Sequence, residues 1–80
     1  MTRIVWSDAA ESFLLRAPPT EAERIFAAVE EMATAQRGFV RRMLDGAGAL
    51  GLYLPGYTVL FHLDVDGTIY VDIIRARRAR

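Results

Sequence analysis

The sequence predicts an α+β domain of order β-α-α-β-β-β, with a helical hairpin on one face of a small antiparallel-rich sheet. Three observations lead there. Residues 57–74 read Y-T-V-L-F-H-L-D-V-D-G-T-I-Y-V-D-I-I, two β-rich runs joined at Asp66-Gly67, the pattern of a hairpin. Residues 8–37 carry apolar positions at helical spacing, broken once at Pro18-Pro19. The strand runs after the helices are joined by short turn-like links, too short for a crossover, so they are expected to pair antiparallel.

Composition sets outer limits. Eighty residues make one domain, 1–80, with a single core. A hydrophobic share of 52% is too high for disorder, and no cysteine offers a disulfide or a thiolate metal site. No apolar run approaches the roughly 18 residues a membrane span needs, and no secretory signal opens the chain, so the expected compartment is the cytoplasm, with no membrane partner. Ten basic and ten acidic residues cancel, which argues against non-specific nucleic-acid binding by phosphate neutralisation. Acids crowd residues 8–31, however, and four of the last six residues are Arg, so a local basic patch is open.

The elements follow in order. Arg3-Ile4-Val5-Trp6 is a short β-prone run. Ser7 or Asp8 caps a helix, with Asp8 and Glu11 at capping-box spacing; Ala10, Phe13, Leu14 and Ala17 form its apolar stripe. Thr20-Glu21-Ala22-Glu23 reads as a second capping box. The helix after it places Ala22, Ile25, Phe26, Val29, Met32 and Ala33 on one side and leaves Glu21, Glu23, Glu30 and Glu31 to solvent. Arg37-Gly38 suits its C-terminus, a cation followed by a left-handed glycine. Phe39–Leu44 reads equally as strand or loop. Gly46, Gly48 and Gly51 sit in a small, turn-like stretch that lacks the Lys-Ser/Thr of a phosphate loop. Leu50–Leu54 alternates weakly, and Pro55-Gly56 turns it into the hairpin.

The hairpin register can be argued. A two-residue turn would set Phe61 opposite Asp72. A three-residue loop, Val65-Asp66-Gly67 with Gly67 left-handed, instead gathers Val59, Phe61, Leu63, Ile69, Val71 and Ile73 on one face. That all-apolar face is expected under the helices. Thr58, Leu60, His62, Asp64, Tyr70, Asp72 and Ile74 fall opposite, on a mixed face where function could sit. Leu60, Ile74 and the aliphatics of residues 50–54 are expected to leave an apolar patch for a partner.

Few side chains suggest chemistry. His62, the lone histidine, lies near Tyr70 or Asp72 and could exchange a proton near neutrality; its ordinary role would be cross-strand packing. Asp64 and Asp72 lack the third ligand that a metal site wants. Arg75, Arg77, Arg78 and Arg80 form the one cationic cluster, suited to phosphate or an acidic partner or else a solvated tail; Arg41-Arg42 is a second basic pair. Tyr53 and Tyr57 could stack a base or pack at the core rim. No cofactor is implied.

Taken together, these residues resemble the RelE/ParE superfamily of toxins from bacterial type II toxin–antitoxin modules. The resemblance runs from Ile4-Val5-Trp6-Ser7, through Pro19-Thr20-Glu21-Ala22-Glu23-Arg24-Ile25 and Met43-Leu44-Asp45-Gly46, to Pro55-Gly56-Tyr57-Thr58-Val59-Leu60-Phe61. It closes at Ile73-Ile74-Arg75-Ala76-Arg77-Arg78. It implies a toxin that inhibits growth until a cognate antitoxin binds it. It also implies either DNA gyrase or the ribosome and its mRNA as target. Ribonuclease members carry basic residues on the family's second strand and an Arg after the third-strand tyrosine. Here those positions are Ala49, Gly51, Tyr53 and Thr58, and Ala, Gly and Thr neither exchange a proton near neutrality nor neutralise a phosphorane-like transition state.

Arg77 or Arg78 stands for the family's C-terminal Arg. The expectation is therefore a toxin that binds its target through Arg41, Arg42, Tyr53, Tyr57, His62, Arg75, Arg77 and Arg78, gyrase-directed or otherwise non-nucleolytic, with no catalytic residue assigned. The alternatives are an mRNA endoribonuclease with non-standard residues, or an inactive binding module of the same fold.

Overall fold

A computed structural model describes residues 2–43 and 48–77. The order is β1 (Ile4–Trp6), α1 (Asp8–Arg16), α2 (Pro19–Ala35), β2 (Phe39–Arg42), β3 (Leu50–Leu54), β4 (Tyr57–Leu63) and β5 (Ile69–Ala76). The strands form one five-stranded sheet in the order β1-β5-β4-β3-β2. Only β1 runs parallel to its neighbour; the other pairs are antiparallel. The α+β architecture is the expected one. Phe39–Arg42, which read equally as strand or loop, pairs with β3 and adds an edge strand.

Ser7 caps α1, its hydroxyl accepting from the Ala10 N–H at 3.0 Å while donating to the Asp72 carbonyl at 2.6 Å. One side chain thus closes the helix start and ties it to β5. The cap is Ser7, and the Asp8/Glu11 box is not used. The expected capping box of α2 is absent too. That helix begins at Pro19 with no side-chain cap, because proline at a first helical position has its φ preset and no N–H to satisfy. At the other end Gln36, not Gly38, takes the first left-handed angle, φ 54. The Gln36 and Arg37 N–H groups close on the Met32 and Glu31 carbonyls, and Gly38 follows at φ 117.

The β4–β5 hairpin uses the three-residue loop. Gly67 sits at φ 88, a left-handed angle that costs glycine little. The Asp64 N–H reaches the Thr68 carbonyl at 2.9 Å. Leu63 pairs with Ile69, His62 with Tyr70 and Phe61 with Val71, all as the sequence predicts. Past that point the register shifts, and Leu60 pairs with Ile73 and Val59 with Ile74. Asp72 is therefore the extra residue of a β-bulge. The bulge exchanges two neighbours: Ile74 is 4% exposed in the core and Ile73 is 42% exposed outside it. The expected places of Ile73 and Ile74 are thereby reversed.

The core gathers Ala10, Ile25 and Val29 from the helices with Leu52, Leu54, Val59, Phe61, Ile69, Val71 and Ile74 from the sheet. Trp6, Phe13, Leu14, Met32 and Tyr57 pack around it. Phe26, expected inside, is 45% exposed and stacks on Trp6 with centroids 5.5 Å apart. The patch expected at Leu60, Ile74 and residues 50–54 does not form, since Leu52, Leu54 and Ile74 are buried. The exposed apolar side chains are elsewhere, notably Leu15, Phe39, Leu63, Val65 and Ile73. Among the described residues no helix is long and apolar enough to cross a membrane.

Candidate functional site

Strand pairing decides which side chains meet on the face away from the helices, since paired residues share a face and neighbours alternate. The ladder Phe39–Tyr53–Thr58–Arg75 crosses that face, followed by Arg41–Gly51–Leu60–Ile73 and then by His62–Tyr70. Two polar clusters result, separated by the middle row.

The first cluster centres on Arg77. Its guanidinium donates to the Tyr57 carbonyl at 2.6 Å, to Thr58 Oγ1 at 2.9 Å and to the Leu54 carbonyl at 2.8 Å. It also lies 5.4 Å from the Tyr53 ring centroid. Its backbone N–H donates to the Gly56 carbonyl at 2.8 Å. Arg77 thus clasps the β3–β4 turn, with three of its five side-chain N–H donors directed into the protein. Tyr53 is further bounded by Phe39, with centroids 5.9 Å apart, and by Met43, whose Sδ is 3.8 Å from the phenol oxygen. Arg41 lies over Phe39 at 5.8 Å.

The second cluster lies beyond the middle row. His62 Nδ1 is 2.8 Å from Asp72 Oδ2, and the imidazole stacks on Tyr70 with centroids 5.0 Å apart and planes at 10°. Its position next to Tyr70 and Asp72 is not a choice between registers: the bulge lets His62 pair with one and hydrogen-bond the other. Asp64 turns away, accepting from the Val65 N–H at 2.8 Å, so the two carboxylates do not converge. Among the described residues no three His, Cys, Asp or Glu side chains group as metal ligands.

The residues expected to act together are partly separated. Arg41 faces the open side, whereas Arg42, paired with Leu50, belongs to the helix side. Tyr53 and Tyr57 are separated in the same way, Tyr57 pairing with Leu54. Tyr57 packs edge-on to Phe13 at 5.9 Å and under Arg24 at 5.7 Å. Partial burial, then a hydrogen bond to Glu21 and its charge, raise the Tyr57 phenol above its ordinary pKa, with Arg24 opposing. The two tyrosines therefore cannot stack one base between them. Arg75 is exposed opposite Thr58. Arg78 and Arg80 lie outside the described residues, as do Leu44, Asp45 and Gly46 of the glycine-rich stretch.

Phe39 and Met43 were not legible as site residues, and Thr58 was legible only as a departure from the pattern of the resemblance. Phe39 and Met43 depend on the β2–β3 register, and Thr58 gains its role only from Arg77, far along the chain. Gly51 is a further constraint. A Cβ there would lie 3.0 Å from Met43 Sδ and 3.2 Å from Tyr53 Cε1, so the position is closed to larger side chains unless its neighbours give way. Among the described residues the middle row of the open face, Arg41, Gly51, Leu60 and Ile73, carries no histidine or carboxylate.

No family model matches the chain, and no curated protein matches it significantly. Solved structures do. A chain of the RelB-RelE antitoxin-toxin complex from Methanococcus jannaschii superposes with a TM-score of 0.73 at 14% identity, covering 91% of this chain and 89% of that one. A chain of the toxin-antitoxin complex RelBE2 from Mycobacterium tuberculosis gives 0.67 at 23% identity, with 94% and 90% covered. Two helices on a five-stranded mixed sheet, superposable on these chains over nearly their whole length, give this protein the fold of those chains.

Proposed function

We propose that the chain is the toxin of a type II toxin–antitoxin module, acting in the cytoplasm and neutralised by a cognate antitoxin. The observation that carries this reading is its superposition, over about nine-tenths of its length, on chains solved within toxin–antitoxin complexes. We further propose that it arrests growth by gripping a target such as DNA gyrase rather than by cutting RNA. The closed approach at Gly51 and the hydroxyl of Thr58 favour this, because neither position offers a general base or a cation. Arg75, Arg41 and Tyr53 supply the contact surface, and Arg77 holds its frame.

A second reading has one specific observation behind it. The His62–Asp72 pair on the same face has the composition of a proton-transfer dyad, carboxylate on one ring nitrogen and the other nitrogen available. That would suit an endoribonuclease with displaced catalytic residues.

Expression alone, and together with the gene encoded beside it, tests the first statement. Growth arrest relieved by the neighbour is expected, and unaffected growth in both cases rejects the toxin reading. Gyrase–DNA adducts in arrested cells support the target proposed. Translation-dependent mRNA cuts that vanish in His62→Ala support the dyad instead. Arg75→Ala is expected to weaken arrest while leaving the fold intact.

A further inference from the structure

Met43 follows directly on β2, and its N–H donates to the Ala49 carbonyl at 2.9 Å. Alternation from Phe39 and Arg41 sets its side chain on the open face. There the thioether rests on the Gly51 backbone, where any Cβ would lie 3.0 Å from Sδ. The Tyr53 phenol directs its O–H at the same sulfur from 3.8 Å, although a thioether is a weak acceptor. The Met43 side chain is half-buried. A hollow of about 400 Å³, bounded by Arg42, Gly48, Leu50 and Leu63, opens beside it and gives small solutes a way in.

Met32 supplies the contrast. It is half-buried too, so exposure does not separate the two sulfurs. Their surroundings do. Met32 packs against the core and lines a groove whose walls are mostly hydrocarbon, Ala33, Val40, Leu50 and Phe61 among them. An oxygen added there would bury a polar group at a cost. An oxygen added to Met43 would meet the Tyr53 O–H. Set slightly off the line from sulfur to phenol, it comes within the ordinary O–H···O distance of about 2.7–2.8 Å.

We infer that Met43 is a site of reversible oxidation by peroxide, and that the Tyr53 phenol receives the sulfoxide oxygen. The sulfur lone pair attacks one peroxide oxygen, and the O–O bond breaks as the S–O bond forms. The other oxygen leaves as hydroxide and takes the proton of the transferred hydroxyl, giving water. Sulfur is oxidised by two electrons and the peroxide is reduced by two. The phenol beside the sulfur is placed to donate a hydrogen bond to the departing oxygen. The product turns a flexible apolar side chain into a polar one. It draws on Tyr53, which stands between Phe39 and Arg77 on the same face. The oxidation site stands without the toxin reading; its effect on target contact through Tyr53 rests on that reading.

The test treats the full chain with dilute hydrogen peroxide and then digests it with trypsin, which releases Met32 in residues 25–37 and Met43 in residues 43–75. Met43 is expected to gain one oxygen about fivefold faster than Met32, the factor that one net hydrogen bond supplies. In Tyr53→Phe that lead should disappear while Met32 keeps its parent rate, which reports an intact fold. By NMR the Tyr53 ring resonances should shift on oxidation, whereas Tyr57, on the helix side, and Tyr70, stacked on His62, stay in place. Met43→Leu, a volume-conserving exchange, should abolish the shift. Oxidation of Met32 as fast as Met43, a lead that survives Tyr53→Phe, or a Tyr53 ring unmoved by oxidation of Met43 would overturn the inference. Met43 oxidised first in a chain that never arrests growth would keep the site and remove the toxin reading. Growth arrest by a chain in which Met32 is oxidised first would do the converse.

Discussion

The two faces of the sheet are written in the same strands yet work under different rules. Phe61 is 2% exposed beneath the helices, while its neighbour His62 has 49% of its side chain in water. On the covered face Leu52, Val59 and Ile74 pair across three strands, as Phe61 and Val71 do across two, and every one is buried. On the open face the ladders carry Phe39, Tyr53, Arg41, Arg75, His62 and Tyr70. Stability is thus concentrated on one side, which leaves the other free to carry recognition. The exception lies near the middle of the open face. Gly51 and Thr58 are buried there, beneath Met43 and Tyr53 in one case and Arg77 in the other.

That contrast can be broken by substitution. Phe61→Ala should cost about 3–5 kcal/mol of unfolding free energy by denaturant titration, whereas His62→Ala should stay within about 0.5 kcal/mol. Comparable losses at both positions would abolish the distinction between the faces. Gly51→Lys should cost about 1–3 kcal/mol through crowding against Met43 and Tyr53. An unchanged midpoint would mean that this part of the open face is as permissive as its rim.

Ser7→Ala sharpens the comparison from the helix side. It should cost about 0.5–2 kcal/mol, the range for a lost N-cap, and raise amide exchange near the bulge at Asp72, where the hydroxyl is also bound. The smallest effect belongs to acid. Hydrogen bonds from the Thr68 N–H and hydroxyl, aided weakly by Arg3, hold the Asp66 carboxyl below its ordinary pKa. A depressed folded pKa means stability that is present above the unfolded value of about 3.9 and is lost as pH falls through the folded value. Asp66→Asn should therefore flatten the pH dependence of stability below about pH 4. A profile identical to that of the parent chain would remove Asp66 from the account.

Legibility followed the range of the interactions. The hairpin loop at Val65-Asp66-Gly67 and the pairing of Phe61 with Val71 depend on near neighbours, and alternation alone was enough to read them. The bulge at Asp72 has no local signal, because it arises where Ile74, rather than Ile73, meets Val59 in the core. α2 starts at Pro19 instead of Thr20 since proline needs no cap, a local fact that the capping-box pattern obscured. The candidate site was less legible. His62 and Tyr53 could be named, but the company they keep required the register of β2 against β3 and the return of Arg77 to the β3–β4 turn.

Period and turn chemistry, which are local, determined by themselves the two helices, the β4–β5 loop and the α+β class. Which arginine became a clasp, which tyrosine faced outward, and whether residues 39–42 joined the sheet were decided only in three dimensions. Those outcomes depend on partners distant in the chain: Arg77 binds carbonyls some twenty residues away, and the face that a strand residue occupies is set by the strand laid against it.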